Sequence, residues 1–231
     1  MWGPMWVLSA RDPQGEMSRQ FENDLEGWIN SKEEIPLADQ VFARGGLLLP
    51  RLRRGEWDSA VAIANEMETI LGTPRPAAIY QLSTYCAMAD LYYALAAAGY
   101  ESELIDQREI RRRLRLLHIR IMVFCISCPI GKPLRYLIAG RRLILKGRTG
   151  RARKILEKGV SSGESLRIPY LVAMLKVELA GLAEDEVSRD ALQSQTSEIF
   201  QQLGIYHPEV LSLRPARQLT DVPCQPLPET S

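Results

Sequence analysis

The sequence predicts an all-α protein built from antiparallel helical hairpins, and three observations predict it. First, small or turn-forming residues recur in one frame, seven and then five positions apart: Gly140, Gly147 and Ala152, again Leu48, Gly55 and Ala60, and more loosely Tyr92, Gly99 and Leu104. Helix, glycine turn and second helix beginning at a small residue is the punctuation of a hairpin repeat. Second, no stretch alternates apolar and polar residues with the period of two that a half-buried strand requires. Third, the turn glycines Gly55, Gly99 and Gly147 lie 44 and 48 residues apart, longer than the roughly 34-residue tetratricopeptide unit and closer to irregular helical solenoids. A lone hairpin cannot bury its apolar face, whereas a stack can. The expected architecture is an α-solenoid of tetratricopeptide-like hairpins over residues 36–212, after a partly helical segment 1–35 and before a proline-rich tail 213–231.

The elements follow in order. Residues 1–15 read as irregular, with Pro4, Pro13 and two glycines. Residues 18–30 place Phe21, Leu25 and Trp28 on one helical face. A stronger helix, 37–54, follows Pro36, and Pro50 inside it predicts a kink or an end. Residues 59–71 carry Ala60, Ile63, Ala64, Met67 and Ile70 at helical spacing, and Gly72, Pro74 and Pro76 stop them. Residues 77–98 form a long Ala/Leu/Tyr-rich helix ended by Gly99, and 102–126 a second long helix, basic in its middle and broken by Pro129. Helices over 134–146 and 151–162 make the clearest hairpin. Pro169 opens 170–183, and 187–203 closes at Gly204. With four prolines after residue 214, the tail has too little apolar surface to offset its ordering entropy and is expected to be disordered.

Composition bounds the function. Of 231 residues, 46% are apolar and 25% charged, and the net charge is +1. That balance hides an asymmetry: residues 101–160 hold 16 Lys/Arg against 5 Asp/Glu, leaving −10 on the remainder. Such asymmetry marks an acidic partner, a nucleic acid, or one part docking on another. Met1–Ala10 lacks the basic start and apolar run of a secretory signal. Cys86, Cys125, Cys128 and Cys224 therefore read as free thiols of a cytoplasmic protein. The most apolar run, 116–130, contains His118 and Arg120 and is shorter than the roughly 20 residues of a membrane span; it reads as a buried helix end.

Residues 114–203 resemble the C-terminal tetratricopeptide-like region of class III, soluble-adenylate-cyclase-like cyclases. The likeness is carried by a Phe-to-Pro-Ile-Gly-x-Pro element at Phe124–Pro133, the Gly147-Arg148-x-x-Arg151-Ala152 turn, the Leu-x-Ile-Pro-Tyr element at Leu166–Tyr170, and Ile199-Phe200-x-x-Leu203-Gly204. In that family, cyclase domains and an AAA-type ATPase module precede the helical region. The resemblance implies a signalling role beside a cyclase or ATPase chain, with the catalytic parts encoded elsewhere. This chain carries no Walker A loop, since Gly131-Lys132 is followed by Pro133, and no strand–turn–strand to bear paired aspartates. It reads as a non-enzyme with no cofactor.

The candidate sites are few. Cys125-x-x-Cys128 has the spacing of a zinc half-site, but the remaining ligands could only be Cys86 and His118, outside the usual pairing; buried thiols are the simpler reading. Arg108, Arg111, Arg112, Arg115 and Arg120 cluster on one helix, with Arg108, Arg112 and Arg115 on a shared face. They read first as a solvated helix face or as ion pairs with acidic neighbours such as Glu101, Glu103 and Asp106, and next as a stripe that docks on an acidic protein surface. A phospholipid or nucleic-acid stripe is the weaker alternative, because aromatics are not interleaved. His118 reads as a satisfied core residue and His207 as a turn residue, so no Ser–His–Asp or Cys–His set arises. Trp57, Tyr92 and Tyr93 read as packing between hairpins. Gly55, Ala60, Gly99, Gly140, Gly147 and Ala152 are the expected structural positions of the repeat turns.

Overall fold

The computed structural model describes residues 16–31, 35–71 and 81–203. Those residues form α1 (Glu16–Ile29), α2 (Leu37–Arg53), α3 (Trp57–Leu71), α4 (Gln81–Ala98), α5 (Gln107–Ser127), α6 (Lys132–Ile144), α7 (Thr149–Ser165), α8 (Pro169–Ala180) and α9 (Glu186–Gln202), with one 3₁₀ turn at Pro129–Gly131. Among the described residues there is no strand, only an isolated bridge between Ser102 and Ile105. The fold is all-α. The readings for residues 1–15, His207, Cys224 and the proline-rich tail lie outside the described residues.

Each helix packs on the next, and the even-numbered helices also touch in series, α2 on α4, α4 on α6 and α6 on α8. That placement explains why α4 is apolar all round. Every residue from Thr84 to Leu95 is buried, as expected for a helix enclosed on all sides. Helix α8 repeats the pattern over Leu171–Leu175. The core runs unbroken from Leu25 through Leu48, Met67, Leu91 and Leu137 to Phe200.

The three turn glycines adopt left-handed backbone, φ +76° at Gly55, +66° at Gly99 and +68° at Gly147. An L side chain there would crowd the carbonyl, which glycine avoids. Arg167 takes the same conformation, φ 55°, in the α7–α8 turn, where the sequence offers no glycine. Gly140 serves packing instead. A Cβ at this position of α6 would lie 2.4 Å from Leu156 Cδ2 and 2.7 Å from its Cγ. Ala60 and Ala152 are fully buried where the second helices of their hairpins begin.

Two local expectations are corrected. The helix does not end at Pro50 but runs on to Arg53. Pro50 stands in the last turn, and the ladder resumes after it, where Arg54 N–H donates to the Pro50 carbonyl at 3.0 Å. The helix is also clamped from two sides by small residues: a Cβ at Gly45 would sit 3.1 Å from Thr84, and one at Gly46 3.2 Å from Leu25. The long basic helix begins at Gln107, not at residue 102. Asp106 caps it by accepting the Glu109 N–H at 2.7 Å, and Ser102–Ile105 close a small turn first.

Candidate functional site

Helix α5 is held from its start. The Gln107 side-chain amide donates to the carbonyls of Leu95 at 3.1 Å and Tyr100 at 2.8 Å, tying α5 to the end of α4. Its inner face is an apolar seam, Ile110, Leu114, Leu117, Ile121 and Phe124, all buried. The intervals of four, three, four and three residues are those of a heptad a/d row, the narrow stripe with which one helix packs along another.

The basic residues divide between an edge and the outer face. Arg113 and Arg120 lie on the edge toward α3. Arg113 donates to Glu109 at 2.7 Å and to Asn65 at 2.5 Å, and Arg120 pairs with Glu68, which also accepts the Tyr92 hydroxyl at 3.2 Å. Arg108, Arg111, Arg112 and Arg115 are exposed. Arg112 grips Glu109 with two bonds, 2.5 and 2.6 Å. The Arg112 hydrogen bonds, then those of Arg113, hold the Glu109 carboxyl down to about 2 against the opposing effect of partial burial. Among the described residues no carboxylate lies within ion-pair reach of Arg108, Arg111 or Arg115. The expected partners Glu101, Glu103 and Asp106 are not used. A capped helix start turns Asp106 to its own backbone, and Glu109, one turn on, faces the arginines instead.

The expectation for the apolar run 116–130 is corrected as well. Leu117, Ile121 and Phe124 are buried, but Ile119, Met122, Val123 and Ile126 are exposed, Val123 at 62% and Ile126 at 81%. The run is apolar on both faces of the helix and only one face is covered. His118, half-buried at the join with α6, leaves its Nδ1 without a hydrogen-bond partner among the described residues. Burial first, then the charges of Arg142 and Arg135, hold it neutral to lower pH than usual. It is not the satisfied core histidine expected. Cys86 and Cys125 are buried thiols, Cys128 is half-buried, and no His/Cys/Asp/Glu group able to hold a metal occurs among the described residues.

A second polar cluster was not anticipated. Arg141 of α6, 1% exposed, donates Nη1–H to Asp90 of α4 at 2.5 Å and Nε–H to Glu178 of α8 at 2.8 Å. Its guanidinium lies 4.8 Å from the centre of the Tyr93 ring. Three charges thus lock three even-numbered helices in one register. Desolvation works against the guanidinium, and the two carboxylates outweigh it, raising its pKa. All three side chains are buried, and paired buried charges favour one arrangement of helices. The signal was present in the sequence. Asp90 is the one charged residue in α4, and a lone acid on an enclosed helix must find a cation.

Another basic surface is a shallow concavity of about 620 Å³ at the α6–α7 turn, bordered by Arg148, Arg151 and Lys154. No known protein family, curated protein or solved structure matches this chain. No helix among the described residues is long and apolar enough to cross a membrane.

Proposed function

We propose that this chain is a non-catalytic helical-repeat module that binds a protein partner through the outer face of α5. On this reading α2–α3, α4–α5, α6–α7 and α8–α9 are the hairpins of a tetratricopeptide-like solenoid, and α5 displays the surface that its own stack leaves open. One observation carries the reading: Ile119, Met122, Val123 and Ile126 form a contiguous exposed apolar row in line with unneutralised arginines. Exposed large apolar residues in a row, bordered by charge, mark an interaction surface, whereas scattered ones do not. The resemblance of residues 114–203 to the helical region of cyclases makes a cyclase or ATPase chain the first partner to try.

The test is a photo-crosslinking side chain placed at Val123, in living cells, with the same side chain at Arg148 as control. A discrete protein adduct from position 123 and none from position 148 is expected. Adducts to nucleic acid or lipid alone, or no adduct, would overturn the reading.

A further inference from the structure

We infer that the partner segment is itself an α-helix, acidic over half its length and apolar over the other, lying along α5 as the second strand of a short coiled coil. The inference rests on the protein-binding reading of this face and adds the partner's chemistry to it.

The spacing is the first argument. Arg108, Arg112, Arg115, Ile119, Met122 and Ile126 are separated by four, three, four, three and four residues. That is an a/d row sustained over 19 residues, about 27 Å of helix. Only a second helix reads a row of this period, by inserting knobs between its members. The buried seam of α5, two residues out of phase and so on the opposite face, already packs in this way.

The order of residues along the row is the second argument. Cationic and apolar members stand in series, not side by side. A helix that lies on a membrane has a broad apolar sector flanked by basic residues along its whole length; this row has neither. A nucleic acid would use the arginines and leave Ile119, Met122 and Ile126 wet.

Pairing with a second copy through the same face fails on charge. In parallel, arginine would meet arginine. In antiparallel register about Leu117, Arg108 would face Ile126, Arg112 would face Met122 and Arg115 would face Ile119, burying Arg108 and Arg115 on apolar groups without a counter-charge. A foreign helix with Glu or Asp facing Arg108 and Arg115 and Leu, Ile or Met over the last three positions satisfies the row, Arg112 keeping its pair with Glu109. Glu109, already saturated by Arg112 and Arg113, leaves Arg108 and Arg115 to the partner.

The experiment titrates the full chain into fluorescently labelled helical peptides of about 21 residues, three heptads. Two carry the acidic half first or last, and a third has the same composition with the heptad phase shuffled. Either acidic–apolar peptide should bind roughly tenfold or more tighter than the shuffled one, and more weakly as salt rises. The triple variant Arg108→Glu, Arg112→Glu, Arg115→Glu should lose that binding and regain it for a peptide carrying Lys in place of Glu, which a misfolded variant could not do. The triple variant Arg148→Glu, Arg151→Glu, Lys154→Glu should bind as the native chain does. Equal binding of the shuffled peptide, or tight binding only to phosphatidylserine vesicles or to an oligonucleotide, would overturn the inference. If neither phased peptide binds while the Val123 protein adduct still forms, the helix assignment alone is lost. If the adduct is absent too, both readings fall.

Discussion

Arg141 and the arginines of the α5 outer face are the same side chain in opposite settings. Arg141 is enclosed, touches two carboxylates and an aromatic face, and joins its own helix to two others through residues 51 and 37 positions away in sequence. Arg108, Arg111 and Arg115 are exposed and meet no carboxylate among the described residues. The difference teaches that charge content says little until the neighbours are placed. A buried guanidinium costs several kcal/mol to desolvate, which the two carboxylates offset although Nη2 of Arg141 finds no partner among the described residues, so it is tied to one fold. An exposed one stays solvated and is free for a partner.

The contrast can be broken most directly by Arg141→Met. Removing the cation leaves Glu178 buried without its cation and Asp90 with only the nearby Arg53 charge, and urea denaturation should show a loss of about 3–5 kcal/mol. Replacing the whole set, Asp90→Asn, Arg141→Met and Glu178→Gln together, should cost less than the single change, because neither buried carboxylate then stands without Arg141. Were the single change harmless, the network would not be the lock described here.

Packing beside that network offers a smaller perturbation. In Gly140→Ala the new methyl would meet Leu156, itself fully buried with nowhere to swing, and a loss of about 1–3 kcal/mol is expected by thermal or urea melting. In Gly150→Ala, with open space around the site, the same change should leave stability unchanged or slightly raised, since alanine is the better helix residue.

On the exposed side the effects shrink. Glu109 has its folded pKa depressed to about 2 from 4.5, so its contribution is present above about 4.5 and is lost as pH falls through about 2. Because the pair is partly exposed and screened, that contribution should stay below about 1 kcal/mol. NMR titration of the Glu109 carboxyl, native against Arg112→Gln, would show it: the midpoint should rise toward the ordinary value in the variant. Smallest of all, Arg108→Gln with Arg115→Gln should move stability by no more than about 0.5 kcal/mol, while weakening the phased-peptide binding. A marked loss of stability there would mean that the face is part of the fold's own support.

Much of the fold was legible in the residues, and the reasons are local. A glycine with left-handed backbone at positions 55, 99 and 147 is the cheapest way to reverse a helix, so the frame around it could be read without knowing what packs where. Helices such as 134–146 and 187–203 were recognisable because period and stop signals act over a few residues. The site was less legible. The outer row of α5 lay inside a run, 116–130, whose apolar content pointed to burial; hydrophobicity specifies that a side chain would gain by being covered, not which face finds cover. Arg141 looked like one more basic residue of α6, since neither Asp90 nor Glu178 is near it along the chain.

The amino-acid order by itself determined an all-helical chain, its glycine turns, and a helix α5 with two heptad rows on opposite sides, because turn geometry and helical period depend on neighbours a few positions apart. Only the tertiary structure decided which of those two rows is covered by α4 and which stays open, and which arginine is locked between carboxylates. Those outcomes turn on contacts dozens of residues apart, where desolvation and pairing are settled by the packing of whole helices.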